Sequence, residues 1–212
     1  MITVKVKICG ITTLEDAQAA VDMGADILGF NFYPKSPRYI EPGKAEKIIS
    51  NLPGFVDIAG VFVNANRQDI RSLTDTGMLN WVQFHGDETS DFCNQFNAWN
   101  LNTIKAIRVR SAEDIEQAQG FETSSLLFDA FDPNCYGGTG KTFDWSLLKK
   151  YPRRVFLAGG INPDNISKAI ETDVYGVDIC SGIESEPGKK DHQKMKQLFD
   201  KIHSFTGNKA RK

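Results

Sequence analysis

A single-domain (β/α)8 barrel of the TIM type is the fold class this sequence predicts, and three observations predict it. Short β-branched apolar runs recur along all 212 residues. Helix-like segments alternate with them, without a long linker or a low-complexity stretch. The runs number eight, whereas an open doubly wound sheet typically has five or six strands. The barrel is expected over residues 1–205, with the polar, basic segment 206–212 as a C-terminal tail.

The elements follow in order. The strand runs are Val4–Ile8, Ile27–Phe30, Ile58–Val63, Trp81–Phe84, Thr103–Val109, Leu126–Phe128, Val155–Leu157 and Tyr175–Ile179. Several are continuously apolar, as strands covered on both faces are. After the first run, Leu14, Ala17 and Val21 share one helical face. Thr13 and Asp16 have capping-box spacing, with Asp in place of the preferred Glu or Gln. Gly24 stands where a C-terminal cap is expected. Met195, Leu198, Phe199 and Ile202 mark the last helix by the same periodicity. The sixth helix is the weakest, because Trp145–Lys149 is brief.

Composition narrows the function. Hydrophobic residues make up 41% and charged residues 25%, a globular balance that argues against disorder. Lys+Arg 25 against Asp+Glu 27 leaves a net charge of −2, without the basic excess of nucleic-acid binders, so no nucleic-acid partner is expected. No apolar run reaches the ~18 residues of a membrane span, so no membrane partner is expected. Residues 1–10 alternate lysine with apolar residues and lack the apolar core of a signal peptide. Cys9, Cys93, Cys135 and Cys180 contain no C-x-x-C pair, which suits free thiols in a reducing, cytoplasmic compartment. With only His85, His192 and His203 beside them, a zinc cluster has little support, and no metal is expected.

In a barrel of this type the chemistry sits at the C-terminal ends of the strands and in the loops that follow. Strand one ends in Lys7-Ile-Cys9-Gly10. The Cys9 thiol is a candidate base or nucleophile, or a small buried apolar group. Lys7 is expected on the opposite face of the strand, so help for the thiol must come from elsewhere. Arg38, in a loop stiffened by Pro34 and Pro37, is a carboxylate clamp or a solvated arginine. His85, after strand four, is an acid/base group, a substrate donor or a packing residue. Asp129 closes the apolar Leu126-Leu-Phe, which is costly unless it lies at the mouth, and it is the best general-acid candidate.

The next loop carries Gly-Gly-Thr-Gly-Lys-Thr, but a Walker A motif needs glycine where Cys135 stands, so a flexible lid is the expectation. Gly159-Gly160 after strand seven and Ser181-Gly182 after strand eight suit a phosphate cradle of backbone N–H groups, or tight turns alone.

Taken together, Lys-Ile-Cys-Gly-Ile-Thr (7–12), Ser-Pro-Arg (36–38), Val-Phe-Val-Asn (61–64), Gln-Phe-His-Gly (83–86), Gly-Gly-Thr-Gly-Lys-Thr-Phe-Asp-Trp (137–145), Leu-Ala-Gly-Gly-Ile (157–161), Gly-Val-Asp (176–178) and Ser-Gly-Ile-Glu (181–184) resemble the phosphoribosylanthranilate isomerases of tryptophan biosynthesis. The resemblance runs from residue 4 to about 190. It implies a cofactor-free Amadori rearrangement of N-(5'-phosphoribosyl)anthranilate to 1-(o-carboxyphenylamino)-1-deoxyribulose 5-phosphate by a monomer or homodimer. It also implies that Cys9 is the general base and Asp129 the general acid. Arg38, His85, Gly159, Gly160, Asp178, Ser181 and Gly182 then bind substrate, Arg38 at the anthranilate carboxylate and the two glycine turns at the phosphate. Phe84, Asn31 and Cys180 depart from the usual pattern; Cys180, where serine is usual, bears on phosphate affinity.

Two other readings compete. A metal-dependent phosphosugar epimerase barrel relies on paired His and Asp, and only His85 lies at an expected strand end. A non-catalytic phosphosugar-binding barrel would not need both Cys9 and Asp129.

Overall fold

The computed structural model describes residues 4–133, 136–138, 140–148 and 151–209. Cys135, Thr139 and Lys149, on which parts of the sequence reading fall, lie outside these residues, as do 210–212. Eight parallel strands close into a barrel in chain order. They are β1 (Lys5–Cys9), β2 (Ile27–Asn31), β3 (Asp57–Phe62), β4 (Trp81–Phe84), β5 (Asn102–Val109), β6 (Ser125–Ala130), β7 (Val155–Leu157) and β8 (Gly176–Ile179). β1 closes on β8 with Lys5 opposite Gly176 and Lys7 opposite Asp178.

The helices between the strands are α1 (Leu14–Met23), α2 (Pro42–Ile49), α3 (Arg67–Thr74), α4 (Ser90–Asn94), α5 (Ala112–Gln117) and α6 (Ile166–Glu171). After β6 the described residues form a 3₁₀ turn, Trp145–Leu148, where the sequence marks the weakest helix. After β8 come a 3₁₀ turn at Ser181–Ile183, a short hairpin of β9 (Glu184–Glu186) and β10 (Lys189–Lys190), and α7 (His192–Lys209). The hairpin is absent from the sequence reading. Helical backbone continues to Lys209, four residues beyond position 205.

Local chemistry accounts for the ends of α1. Thr13 accepts a hydrogen bond from the Asp16 N–H at 3.2 Å, and Gly24 takes the left-handed conformation, φ 109°, that closes the last turn. The capping box is one-sided. The Asp16 carboxylate instead accepts the Lys190 N–H at 3.0 Å and meets His192 Nε2 at 2.8 Å, tying α1 to the C-terminal hairpin and α7.

The core has two compartments. Between sheet and helices pack outward residues such as Val82, Phe84, Leu126 and Phe128, together with Met195, Leu198, Phe199 and Ile202 of α7. Inside the barrel, Ile27, Ala59, Trp81, Ile104, Leu127 and Phe156 form a second cluster. This inner plug fixes which side chains reach the mouth. Strand side chains repeat with period two, so every second residue beyond the plug faces the same interior. Counting on from Trp81 gives Gln83 and His85, and from Leu127 gives Asp129. Lys7, paired with Ile27, leads to Cys9. Gly176 leads to Asp178 and Cys180.

Candidate active site

Cys9, Arg38, His85, Asp129, Gly159, Gly160, Asp178, Ser181 and Gly182 all line one cavity of about 250 Å³ at the C-terminal mouth of the barrel. Tyr33, Tyr136, Gly137 and Gly138 line it as well.

The structure corrects the placement of Lys7. Residues i and i+2 of a strand share a face, so Lys7 points inward with Cys9. Its fully buried ammonium pairs with Asp178 Oδ1 at 2.8 Å. Burial pushes Asp178 up to about 6 despite the pull of Lys7, and the nearby Cys9 sulfur adds to the rise. Cys180 is hydrogen-bonded to Cys9 and lowers its pKa well below that of a free thiol. Burial opposes this shift, and the ammonium groups of Lys7 and Lys190 reinforce it. Cys180 moves up in turn, because it supplies that hydrogen bond and is buried. Cys93, away from the mouth, is pushed up to about 12 by burial.

These directions set reactivity, since the thiolate is the nucleophile. Iodoacetamide is expected to label Cys9 ahead of Cys93 and Cys180 at neutral pH, with a midpoint well below the free-thiol value. Lys7→Met removes a cation and moves that midpoint upward. Peptide mass mapping across a pH series checks both; a Cys9 midpoint at the free-thiol value in the unsubstituted protein contradicts the arrangement.

Lys190 and Glu184 went unassigned in the sequence. Lys190 Nζ donates to the Cys9 carbonyl at 2.6 Å and pairs with Glu184 Oε1 at 2.9 Å. Glu184 grips Arg38 from two sides, with Nε at 2.9 Å from Oε1 and Nη2 at 2.7 Å from Oε2. The guanidinium is therefore held rigid, not solvated. Its remaining nitrogen, Nη1, faces Gly138, 2.6 Å from where a Cβ on that residue would sit. The signal for Glu184 was present in Ser-Gly-Ile-Glu, but its partner Arg38 lies 146 residues away in sequence.

Asp129 is buried, with Oδ1 accepting the Ala130 N–H at 2.8 Å. His85 stands beside it, Nε2 at 3.4 Å from Asp129 Oδ2. Gly137 lies directly over the pair: a Cβ there would come within 2.8 Å of Oδ2 and 2.9 Å of Nε2. Only a glycine lets the loop approach this closely, and its φ of +79° lies in the region that favours glycine.

At the end of the neighbouring β7, Gly159 and Gly160 turn with φ of +85° and +63°, and Gly159 packs against Asp129: a Cβ there would come within 2.9 Å of Oδ1. Asn162 and Asn165 hold the Gly160 carbonyl at 3.1 and 2.9 Å. The backbone N–H groups of Gly160, Ser181 and Gly182 meet no acceptor among the described residues. Such groups, gathered on two neighbouring turns, have the chemistry to accept an anion. The cavity thus offers an activated thiol, a carboxyl group, a fixed guanidinium and these N–H groups within one small volume.

The sequence profile of the N-(5'phosphoribosyl)anthranilate (PRA) isomerase family matches residues 6–201. The chain belongs to this family. An N-(5'-phosphoribosyl)anthranilate isomerase of Citrifermentans bemidjiense is 46% identical over 198 residues, covering 92% of this chain and 95% of the relative. A structure from Thermotoga maritima, described as monomers generated from a dimeric phosphoribosylanthranilate isomerase, superposes with TM-score 0.84 at 41% identity, covering 95% of this chain and 99% of that one. A phosphoribosylanthranilate isomerase in complex with reduced 1-(o-carboxyphenylamino)-1-deoxyribulose 5-phosphate superposes with TM-score 0.83, again at 41% identity, covering 95% and 99%. The activity is accordingly that of a phosphoribosylanthranilate isomerase, an enzyme of tryptophan biosynthesis. No helix among the described residues is long and apolar enough to cross a membrane.

Proposed function

We propose that this isomerase runs its Amadori rearrangement with Asp129 as general acid and Cys9 as general base. The observation that carries the reading is the placement of a thiol with a lowered pKa and a buried carboxyl group on the wall of the same cavity. The substrate is a cyclic N,O-acetal. Asp129 gives its proton to the ring oxygen, the C1'–oxygen bond breaks, and the nitrogen lone pair forms an iminium. The Cys9 thiolate takes the C2' proton, and the electrons of that bond form the C1'–C2' double bond of an enolamine. Tautomerisation gives the ketone: C1' takes the proton held by the Cys9 thiol, and the enol proton goes to the Asp129 carboxylate, which restores both groups. The proton count closes, with no change of oxidation state overall, so the reaction needs no redox partner. One positioned acid and one positioned base suffice.

Arg38 takes the anthranilate carboxylate through the Nη1 side that Glu184 leaves open. The turns at Gly159–Gly160 and Ser181–Gly182 take the phosphate, and His85 and Asp178 contact the sugar. The two anion sites are separable. Inorganic phosphate is expected to compete with substrate, and that inhibition survives Arg38→Ala while KM rises. Inhibition abolished by the substitution means that the sites are interchanged. The activity itself is followed as loss of fluorescence of phosphoribosylanthranilate generated in situ; no enzyme-dependent loss contradicts the reading.

We place the enzyme in the cytoplasm, where Cys9 and Cys180, in hydrogen-bond contact but unjoined, stay reduced. Of the two expected assemblies we take the homodimer, following the dimeric Thermotoga maritima relative. Sedimentation velocity at working concentration distinguishes dimer from monomer.

A further inference from the structure

Among the described residues, two buried polar atoms at the barrel mouth make no hydrogen bond: Gln83 Oε1 and His85 Nε2. Gln83 is on β4, and His85, the next inward position, follows the end of that strand. Gln83 is fully buried, and its Nε2 lies 2.7 Å from His85 Nδ1. An amide nitrogen only donates, so Nδ1 must accept. The ring proton of a neutral His85 then sits on Nε2. That nitrogen faces Asp129 Oδ2 at 3.4 Å, while the other oxygen of Asp129 is occupied by the Ala130 N–H. Gly137 seals the pair from above. The structure therefore holds the His85 Nε2–H within reach of Asp129 Oδ2, at 3.4 Å, without a hydrogen bond formed between them.

We propose that Gln83 is a positioning residue for the acid step: it locks His85 as the Nε2–H tautomer, whose proton receives the carboxylate formed when Asp129 gives up its own. This rests on the acid role of Asp129. No net proton moves through His85. As Asp129 loses its proton to the ring oxygen, the 3.4 Å contact tightens into a charge-assisted hydrogen bond. It relaxes when the carboxylate is protonated again. The interaction is stronger after proton release than before it, which is the condition for lowering the barrier. A barrel interior that needed only filling at this position would hold Leu or Met. Gln leaves Oε1 unpaired, a destabilising arrangement explained by what its amide N–H does.

The test is spectroscopic first. The chain has three histidines, so protein labelled with ¹⁵N at histidine gives three ring systems. His85→Asn assigns the relevant one. In the substrate-free, unsubstituted protein, Nε2 is expected to carry the proton and Nδ1 to show the shift of a hydrogen-bonded acceptor. In Gln83→Met the tautomer preference is lost, and kcat falls roughly 10- to 100-fold with KM little changed, the usual scale for removing a group that orients a histidine. An Nδ1–H tautomer in the unsubstituted protein overturns the proposal, whether or not the variant folds. So does a Gln83→Met enzyme with full kcat. The tautomer is read without turnover, so its failure is distinguishable from failure of Asp129 as the acid, which shows only in the rate of Asp129→Asn.

Discussion

Asp129→Asn is expected to lower kcat by about 10²-fold or more, a barrier increase of at least ~2–3 kcal/mol, with the fold intact. Asn keeps the shape and the oxygen that accepts the Ala130 N–H at 2.8 Å. It brings no transferable proton to the ring oxygen. It also turns its NH₂ group toward the Nε2–H of His85, so two donors face each other where an acceptor stood. A reduced product analogue should bind with nearly unchanged affinity, because the lost group acts chiefly in the transition state. Steady-state rates and analogue titration by calorimetry check both parts. Full kcat in a folded Asp129→Asn enzyme passes the acid role to another group, and His85 is the nearest.

Cys9→Ser is expected to cost a comparable factor, about 10²-fold or more in kcat, with substrate binding retained. A serine hydroxyl fits the space but does not ionise near neutrality, whereas the Cys9 thiol is tuned downward by Cys180, Lys7 and Lys190. The sign of the pH effect follows from that shift. A base is active when deprotonated, so a lowered Cys9 pKa moves the acid limb of kcat/KM to lower pH than a free thiol gives. Lys7→Met moves the limb back toward alkaline pH. Near-normal kcat in Cys9→Ser, or an acid limb that ignores Lys7→Met, contradicts the base assignment.

The strands and the site residues at their ends were legible because both are local. Apolar runs mark strands within a residue or two, as Trp81–Phe84 and Val155–Leu157 show. Barrel closure then places Cys9, His85, Asp129 and Asp178 at one mouth without further information. What the sequence hid is what joins distant segments. Glu184 reads as one acidic residue in a turn until the β8 end brings it against Arg38. Lys190 reads as part of a charged pair until the hairpin buries it under Cys9, 181 residues away in sequence. The hairpin itself has no apolar alternation to mark it. Lys7 was legible and was misplaced, because adjacency in the text hides that two positions along a strand return to the same face. The capping box of α5, Ser111 with Asp114, was visible in the same spacing that marked Thr13 and Asp16, and unlike that one it closes from both sides.

Substrate carrying deuterium at C2' separates the two proton transfers in one measurement. The account gives each transfer to a different residue. Crippling the base makes removal of the C2' proton limiting, so Cys9→Ser should show a large normal isotope effect on kcat. Crippling the acid makes ring opening limiting, and that step leaves the C2' bond intact, so Asp129→Asn should show an effect close to unity. The reverse order, or equal effects in the two variants, contradicts the assignment of acid and base.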